Sequence, residues 1–106
     1  MKEEIAMLNL TKKLDQGNLT LCLAGRLDTV TAPQLEKELT EQMPGISALT
    51  LDMGALDYIS SAGLRVLLMA QKQMSKKGGM KLVHVNETVL EIFEVTGFTD
   101  ILDIEA

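Results

Sequence analysis

The sequence predicts an α/β fold with a mixed, mostly parallel sheet of four to five strands and three main helices, in the order β-β-α-β-α-β-α-β. Three observations predict it: short apolar segments that alternate with period two, longer segments with apolar residues at helical spacing, and turn residues between them. Strands that alternate with helices are joined by right-handed crossovers and form parallel sheets. The chain has 106 residues, 46% of them hydrophobic, so we expect residues 1–106 to form one domain.

The first part of the chain predicts a β-hairpin. Residues 5–11 form a candidate strand, residues 15–18 (Asp-Gln-Gly-Asn) are typical of a turn, and residues 19–24 alternate large apolar with small side chains. Residues 25–28 are then expected to form a loop. Cys22 is the one cysteine of the chain, and in the middle of a strand we expect it to be a small buried hydrophobic residue.

A first helix is predicted from Thr31 to about Met43. Thr31 is expected to be the N-cap, Pro33 falls in the first turn where its missing N–H costs nothing, and Gln34 completes a capping box. Residues 44–45 (Pro-Gly) stop the helix. Its buried stripe is expected to consist of Leu35, Leu39 and Met43.

A strand over residues 48–53 and a second helix over about residues 61–76 are predicted next. One face of the strand carries Leu49, Leu51 and Met53. One side of the helix is apolar and consists of Gly63, Val66, Leu67, Ala70 and Met74. Its other side is marked by Arg65, Lys72 and Lys76. Gly78 and Gly79 end this helix.

The last part of the chain predicts a strand, a short helix and a final short strand. The strand covers residues 80–85, and Asn86 is expected to cap a helix whose apolar residues are Val89, Leu90 and Phe93. Gly97 is expected just after the last helical turn, with Phe98 packing back on that turn. Ile101, Leu102 and Ile104 indicate the final strand.

Charge and hydropathy exclude several classes of protein. The formal net charge of −5 argues against direct nucleic-acid binding, which depends on basic patches. The basic cluster of Lys72, Lys76 and Lys77 lies late in a helix, where cations favour the negative end of the dipole. No apolar run approaches the roughly 20 residues of a membrane span, and residues 1–4 lack a signal pattern. We therefore expect a cytoplasmic protein that does not insert into a membrane.

Catalytic and metal-binding patterns are missing from the sequence, so we expect no enzyme activity, no cofactor and no metal site. Nucleophilic catalysis by serine needs a base, and His84 falls inside a predicted strand, where a structural role is expected. Ser61 lacks the glycine two residues earlier that a Gly-x-Ser-x-Gly elbow requires. Residues 78–79 lack the Lys and Ser/Thr of a phosphate loop. Asp52 and Asp57 are interpreted as solvated loop acids.

The serine pair at residues 60–61 follows an apolar strand and a polar bend, and it precedes an apolar helix. Serine at a helix start is an ordinary cap, worth about 1 kcal/mol over alanine. With Gly63 leaving the backbone bare beside it, the pair also forms an accessible hydroxyl next to unpaired N–H groups, which tolerate a phosphate well. Both interpretations stay open and are compatible, since Ser60 can cap the helix while Ser61 is modified.

Four segments, in order, resemble the STAS domain and, more narrowly, the bacterial anti-sigma factor antagonists. They are Gly-Arg-Leu-Asp at 25–28, Thr-Ala at 31–32, Tyr-Ile-Ser-Ser-Ala-Gly-Leu-Arg at 58–65 and Val-Thr-Gly-Phe at 95–98. The resemblance covers nearly the whole chain. It implies a STAS-like fold and a single STAS domain over residues 1–106.

The resemblance also implies a function. Such an antagonist binds an anti-sigma factor that is a serine kinase, and this binding releases a sigma factor. The kinase phosphorylates a serine at the start of the second helix and ends the binding, and a serine phosphatase restores it. Alignment on the Gly-Leu pair makes Ser61 that serine, with Ser60 as second choice. Ser60 stands where the family usually has Asp, and Ala62 where it has a second Ser or Thr.

A partner-binding surface is expected around this serine. Its candidate residues are Asp28, Thr29, Ser60, Ser61, Gly63, Leu64 and Arg65. Several of them also have ordinary structural explanations: Asp28 as an anion near a helix start, Gly63 as a close helix–sheet contact, and Leu64 as a core residue. Arg65 is expected to face solvent, either free or as a rim contact to an acidic partner.

Two other functions remain as alternatives. Similar small STAS domains serve as accessory subunits that regulate membrane transporters, and there the serine loop packs on a partner without phosphorylation. A serine hydrolase is the third and least favoured class.

Overall fold

The computed structural model describes residues 7–105 and has the predicted α/β architecture. Its elements are β1 (Leu8–Asp15), β2 (Asn18–Leu27), α1 (Ala32–Gln42), β3 (Ala48–Ile59), α2 (Ser61–Met74), β4 (Met80–Val83), α3 (Glu87–Thr96) and β5 (Asp103–Ile104). The strands form one sheet in the order β1-β2-β3-β4-β5. β1 is antiparallel to β2, and the other neighbours are parallel. The predicted fold class and element order are confirmed.

One face of the sheet is covered by the helices. Buried residues alternate along β2 and along the first half of β3, and each of the three helices contributes to the same core, as Leu39, Leu67 and Phe93 illustrate. Right-handed crossovers between successive neighbouring strands place all three helices on one side. Cys22 is half-buried rather than buried. It points to the face without helices, because its strand neighbours point into the core.

Several predicted strand boundaries are wrong, and among them the last strand covers only Asp103–Ile104, without Ile101 and Leu102. The first strand ends at Asp15 rather than at residue 11, and residues 5–6 of that prediction lie outside the described part of the chain. Residues 25–27 belong to β2 instead of a loop, and β3 continues to Ile59 without the bend expected after residue 53. Pairing on both sides explains the longer strands: Gly25 pairs with Leu8 of β1 and with Leu56 of β3. The β2–β3 register has irregularities between Cys22 and Ala24 and between Gly25 and Arg26, and the second lies within the extension of β2.

The predicted capping box at the start of α1 is wrong. Thr31 makes no side-chain cap, because its backbone is already helical (φ −95°, ψ −17°) rather than extended as a capping side chain requires. Its buried hydroxyl instead accepts from the Asp28 N–H (2.9 Å) and donates to the Arg26 carbonyl (2.8 Å). The Gln34 amide donates to the Leu8 carbonyl at 2.9 Å, so it fastens α1 to β1.

His84 lies outside the strand in which it was predicted. β4 ends at Val83, and His84 has a left-handed backbone (φ 57°) that is uncommon for a residue other than glycine. Its exposed ring lies 3.1 Å from an oxygen of Asp52. Asp52 and Asp57 are strand residues of β3 rather than loop acids. A hydrogen bond from the Gly54 N–H lowers the pKa of Asp52, with burial opposing and His84 adding to the effect.

The ends of the later helices agree closely with the sequence. α2 ends at Met74, two residues before the predicted end. Gly97 follows α3 with φ 81°, and the rings of Phe93 and Phe98 stack with centroids 6.5 Å apart. The predicted C-terminal stop of α3 and the return contact of Phe98 are both confirmed.

Asn86 joins α3 to the sheet. Its Oδ1 accepts from the Val89 N–H (2.9 Å), which makes it the predicted cap, and its Nδ2 donates to the Leu56 carbonyl (2.7 Å). Since β4 pairs with β3 no further than Asp52, this side chain serves a carbonyl that the short β4 strand does not reach.

Replacement of Asn86 by Ala is expected to lower the free energy of unfolding by about 2–3 kcal/mol, because it removes both a helix cap and a partner of a β3 carbonyl. Asn86→Asp keeps the capping oxygen and loses only the donor, so we expect a smaller loss. Urea denaturation of the two variants measures this. Equal losses for the two variants would show that the capping oxygen contributes nothing.

Candidate functional site

The carboxyl ends of β2 and β3 bring the two predicted site segments together. Leu27 pairs with Ile59 at the end of the parallel ladder, and the Ser60 N–H donates to the Leu27 carbonyl at 2.8 Å. Asp28 therefore follows directly on the residue that binds Ser60. Ligands and partners commonly meet parallel sheets at this edge. The expectation that the Asp28 and serine segments lie on one edge is confirmed.

Ser60 is the N-cap of α2. Its backbone is extended (φ −101°, ψ 177°), its carbonyl accepts the first helical bond from Leu64 at 2.9 Å, and its hydroxyl accepts from the Gly63 N–H at 3.4 Å. The side chain is half-buried. The Ser60 hydroxyl is thus already committed to the helix.

Ser61 is the first residue of α2, and its side chain is exposed. Its hydroxyl makes no hydrogen bond to any residue among 7–105. The first turn of α2 carries no acidic side chain, so nothing in that turn offsets the positive end of the helix dipole. N–H groups at a helix start that have no intrahelical partner, together with this dipole, can accommodate an anion on Ser61.

Asp28 organises the turn between β2 and α1. One carboxylate oxygen accepts from the N–H groups of Val30 (3.0 Å) and Thr31 (3.1 Å). Burial raises the pKa of this carboxyl, but the hydrogen bonds from Thr31, Val30 and Arg26 bring the pKa below its ordinary value of 3.8. The resulting stabilisation is present at neutral pH and is lost as the pH falls below 3.8 through the folded-state pKa.

Gly63 and Leu64 face the protein interior. A Cβ on Gly63 would lie 2.7 Å from Leu27 Cγ and 2.9 Å from Ile59 Cγ1, so any other residue here requires α2 or these buried side chains to shift. Leu64 is 7% exposed and belongs to the core. Packing against the sheet therefore explains both residues. They can contribute to partner binding only indirectly, by positioning the start of α2.

Thr29, which precedes α1, and Arg65, near the start of α2, are both exposed. Together they line a hollow of about 470 Å³ that also includes Pro33, Glu36, Ala62 and Met69. Val30 beside it is 70% exposed. The site thus consists of an exposed hydroxyl next to a shallow, partly apolar surface, which suits contact with a protein better than enclosure of a small molecule.

Arg26 and Tyr58 also border this edge and were not predicted as site residues. They are paired across β2 and β3, and the Arg26 guanidinium lies 4.5 Å from the Tyr58 ring centroid. The Arg26 Nε is 3.5 Å from a carboxylate oxygen of Asp28. The alternation of strand residues could have indicated Arg26. Because Leu27 is buried, the preceding Arg26 side chain points to the opposite face of the sheet.

Known proteins share this fold and part of this sequence. The STAS domain model matches residues 9–106. BtrV of Bordetella bronchiseptica, which is named for a proposed role as an anti-sigma factor antagonist, is 41% identical over 99 residues, covering 92% of this chain and 85% of BtrV. The anti-sigma-B factor antagonist of Bacillus subtilis is 30% identical over 100 residues, covering 93% and 92%. The solved structure of an anti-sigma factor antagonist from Mycobacterium paratuberculosis superposes with a TM-score of 0.85 at 22% identity, covering 93% and 86%.

The chain therefore belongs to the STAS domain family. Within residues 7–105 no group of three or more His, Cys, Asp or Glu side chains could hold a metal ion. No helix in the same part of the chain is long and apolar enough to cross a membrane. What the edge presents is an exposed Ser61 hydroxyl and a shallow, partly apolar surface.

Proposed function

We propose that the chain is an anti-sigma factor antagonist that binds an anti-sigma factor while Ser61 is unmodified and so releases a sigma factor. The observation that carries this proposal is the exposed Ser61 hydroxyl at the start of α2, beside Asp28 on the shared strand edge. The names of the relatives with 41% and 30% identity support it.

We propose further that the anti-sigma factor is a serine kinase that phosphorylates Ser61, and that a serine phosphatase reverses the modification. Between the two serines, the hydrogen bonding favours Ser61, because the Ser60 hydroxyl already caps α2 and is half-buried. Phosphorylation adds about −1.5 to −2 charges. The helix start tolerates this anion, so the cost falls on a partner surface that is matched to a neutral hydroxyl.

A capture experiment with the chain as bait tests this proposal. The chain is used as bait in lysate of its source organism, and the captured proteins and the intact mass of the bait are measured. We expect the wild type to capture an anti-sigma factor and Ser61→Asp to capture much less of it. Thr40→Asp, at an exposed hydroxyl further along α1, is the charge-matched control and is expected to behave as wild type. Capture of transporter subunits instead would favour the accessory-subunit alternative.

Asp28→Asn is expected to slow phosphorylation of Ser61 with little change in the melting temperature. Asparagine keeps a side-chain oxygen for the Val30 and Thr31 N–H groups, so the turn survives, but the charge beside the serine segment is lost. Phosphate incorporation with time, measured beside a thermal melt, checks this. An unchanged rate would remove Asp28 from the kinase-facing surface.

A further inference from the structure

Acidic side chains are missing from a long central stretch of this acidic chain. Residues 58–86 contain no Asp or Glu, whereas the whole chain has a net charge of −5. The same stretch carries five cations: Arg65, Lys72, Lys76, Lys77 and Lys81. Because it includes all of α2, that helix presents charge of one sign.

Two of these five cations make polar contacts with other residues of the chain. The Lys77 ammonium donates to the carbonyls of Met43 and Ile46, in the segment that follows α1. Lys81 lies 3.6 Å from a carboxylate oxygen of Glu105. Of the basic cluster expected from the sequence, Lys77 thus binds carbonyls outside its own helix, while Lys72 lies in the last turn of α2, where the dipole favours a cation.

The other three cations, Arg65, Lys72 and Lys76, are exposed and make no ion pair within residues 7–105. They recur at spacings of seven and four, which places them on one face of α2 and of the turn that follows it. Ser61, four residues before Arg65, begins the same face.

Apolar side chains lie between these cations. Leu68 and Met69 are half-buried, and a groove of about 310 Å³ is lined by Arg65, Leu68, Met69, Lys72 and Gln73. We call Arg65, Leu68, Met69, Lys72 and Lys76 the α2 surface. Glu36 of α1 lines the neighbouring hollow with Arg65 and Met69, and it marks the edge of the basic area.

We propose that the α2 surface docks an acidic amphipathic helix of the partner protein, with an apolar side chain against Leu68 and Met69 and carboxylates against Arg65 and Lys72. Charge complementarity and continuity with Ser61 carry this proposal, which rests on the proposed function and extends that interface along α2. Methionine adapts readily to a partner's shape. A helix that binds membranes needs a broad exposed apolar face, whereas that of α2 is buried in the core.

The α2 surface also gives the switch a physical basis. A phosphate on Ser61 would lie one turn from Arg65 and would carry the same sign of charge as the partner's carboxylates. It would pair with Arg65 within the helix and repel the partner helix. The partner then docks on the unmodified chain and is released once Ser61 carries the phosphate.

The test is a titration of the ¹⁵N-labelled chain, unmodified at Ser61, with a synthetic helical peptide of about 15 residues, which spans roughly 22 Å. The peptide carries Glu on its flanks and Leu along one face. We expect amide shifts at the α2 surface, and no binding of a peptide with Lys in place of Glu. The double variant Lys72→Glu/Lys76→Glu is expected to bind the acidic peptide at least tenfold more weakly. Lys13→Glu/Lys37→Glu, an equal charge change at exposed lysines elsewhere, is the matched control.

Four outcomes would overturn the proposal: absence of peptide binding, shifts centred outside the α2 surface, equal weakening in the control, or equal binding of the Lys peptide. If the amide signals of the α2 surface shift with increasing concentration of the chain in the absence of peptide, the α2 surface binds a second copy of the chain instead. Binding to phosphatidylglycerol vesicles without binding to the peptide would assign it to lipid. Because the peptide is not a kinase, its failure leaves the capture result, and with it the proposed function, standing.

Discussion

The chain phosphorylated at Ser61 is expected to bind its anti-sigma factor at least 100-fold more weakly than the unmodified chain. A tenfold loss of affinity corresponds to about 1.4 kcal/mol, and a mismatched or desolvated charge in an interface costs several kcal/mol. The helix start tolerates the anion, so circular dichroism should remain native. Calorimetric titration of the anti-sigma factor with both forms measures the ratio.

The control for this prediction is a chain that carries an added negative charge elsewhere. Thr40→Asp is expected to bind as the wild type does. If phosphorylation at Ser61 left the affinity unchanged, or if it unfolded the chain, charge at the start of α2 would not be the switch.

Gly63→Val is expected to give the largest loss of stability of any single change at the site, about 3 kcal/mol. The first added carbon alone would lie 2.7 Å from Leu27 Cγ, and two methyl groups must then fit beside it. Leu27 and Ile59 are fully buried, so neither has room to withdraw. Thermal and urea denaturation measure the loss, and the matched control Gly45→Val, at a site with no neighbour within 4 Å, is expected to change little.

A double-mutant cycle makes the cause specific. Leu27→Ala removes two of the three nearest atoms that the new Cβ of Gly63→Ala would meet and leaves Ile59 Cγ1. The two changes together should therefore cost less than their sum. Additive losses would mean that Gly63 is not limited by this contact. The anti-sigma factor should also bind Gly63→Ala more weakly, because the substitution displaces the start of α2.

Hydrophobic periodicity was sufficient to predict the element order, because alternating and helical patterns report directly on which face of each element is buried. Local caps were also predictable where one side chain acts on its own helix, as with Ser60 and Asn86. The edge that brings Asp28 to Ser60 followed from parallel strands alone.

Features that depend on neighbours distant in sequence were not predictable. The extension of β2 and β3 follows from pairing on both sides of β2. Thr31 looks like a cap in sequence, yet its hydroxyl is occupied by the turn between β2 and α1. The contact of Arg26 with Tyr58 needs the register of two strands, including an irregularity between them. For Gly63 the sequence left two explanations equal, and packing against Leu27 accounts for the residue.

The most direct test asks which hydroxyl receives the phosphate. The chain is incubated with its captured anti-sigma factor and ATP, and the modified residue is located by tandem mass spectrometry in the wild type, Ser60→Ala and Ser61→Ala. We predict one phosphate, on Ser61, in the wild type and Ser60→Ala, and none in Ser61→Ala. A phosphate on Ser60, or equal incorporation into Ser61→Ala, would contradict the account.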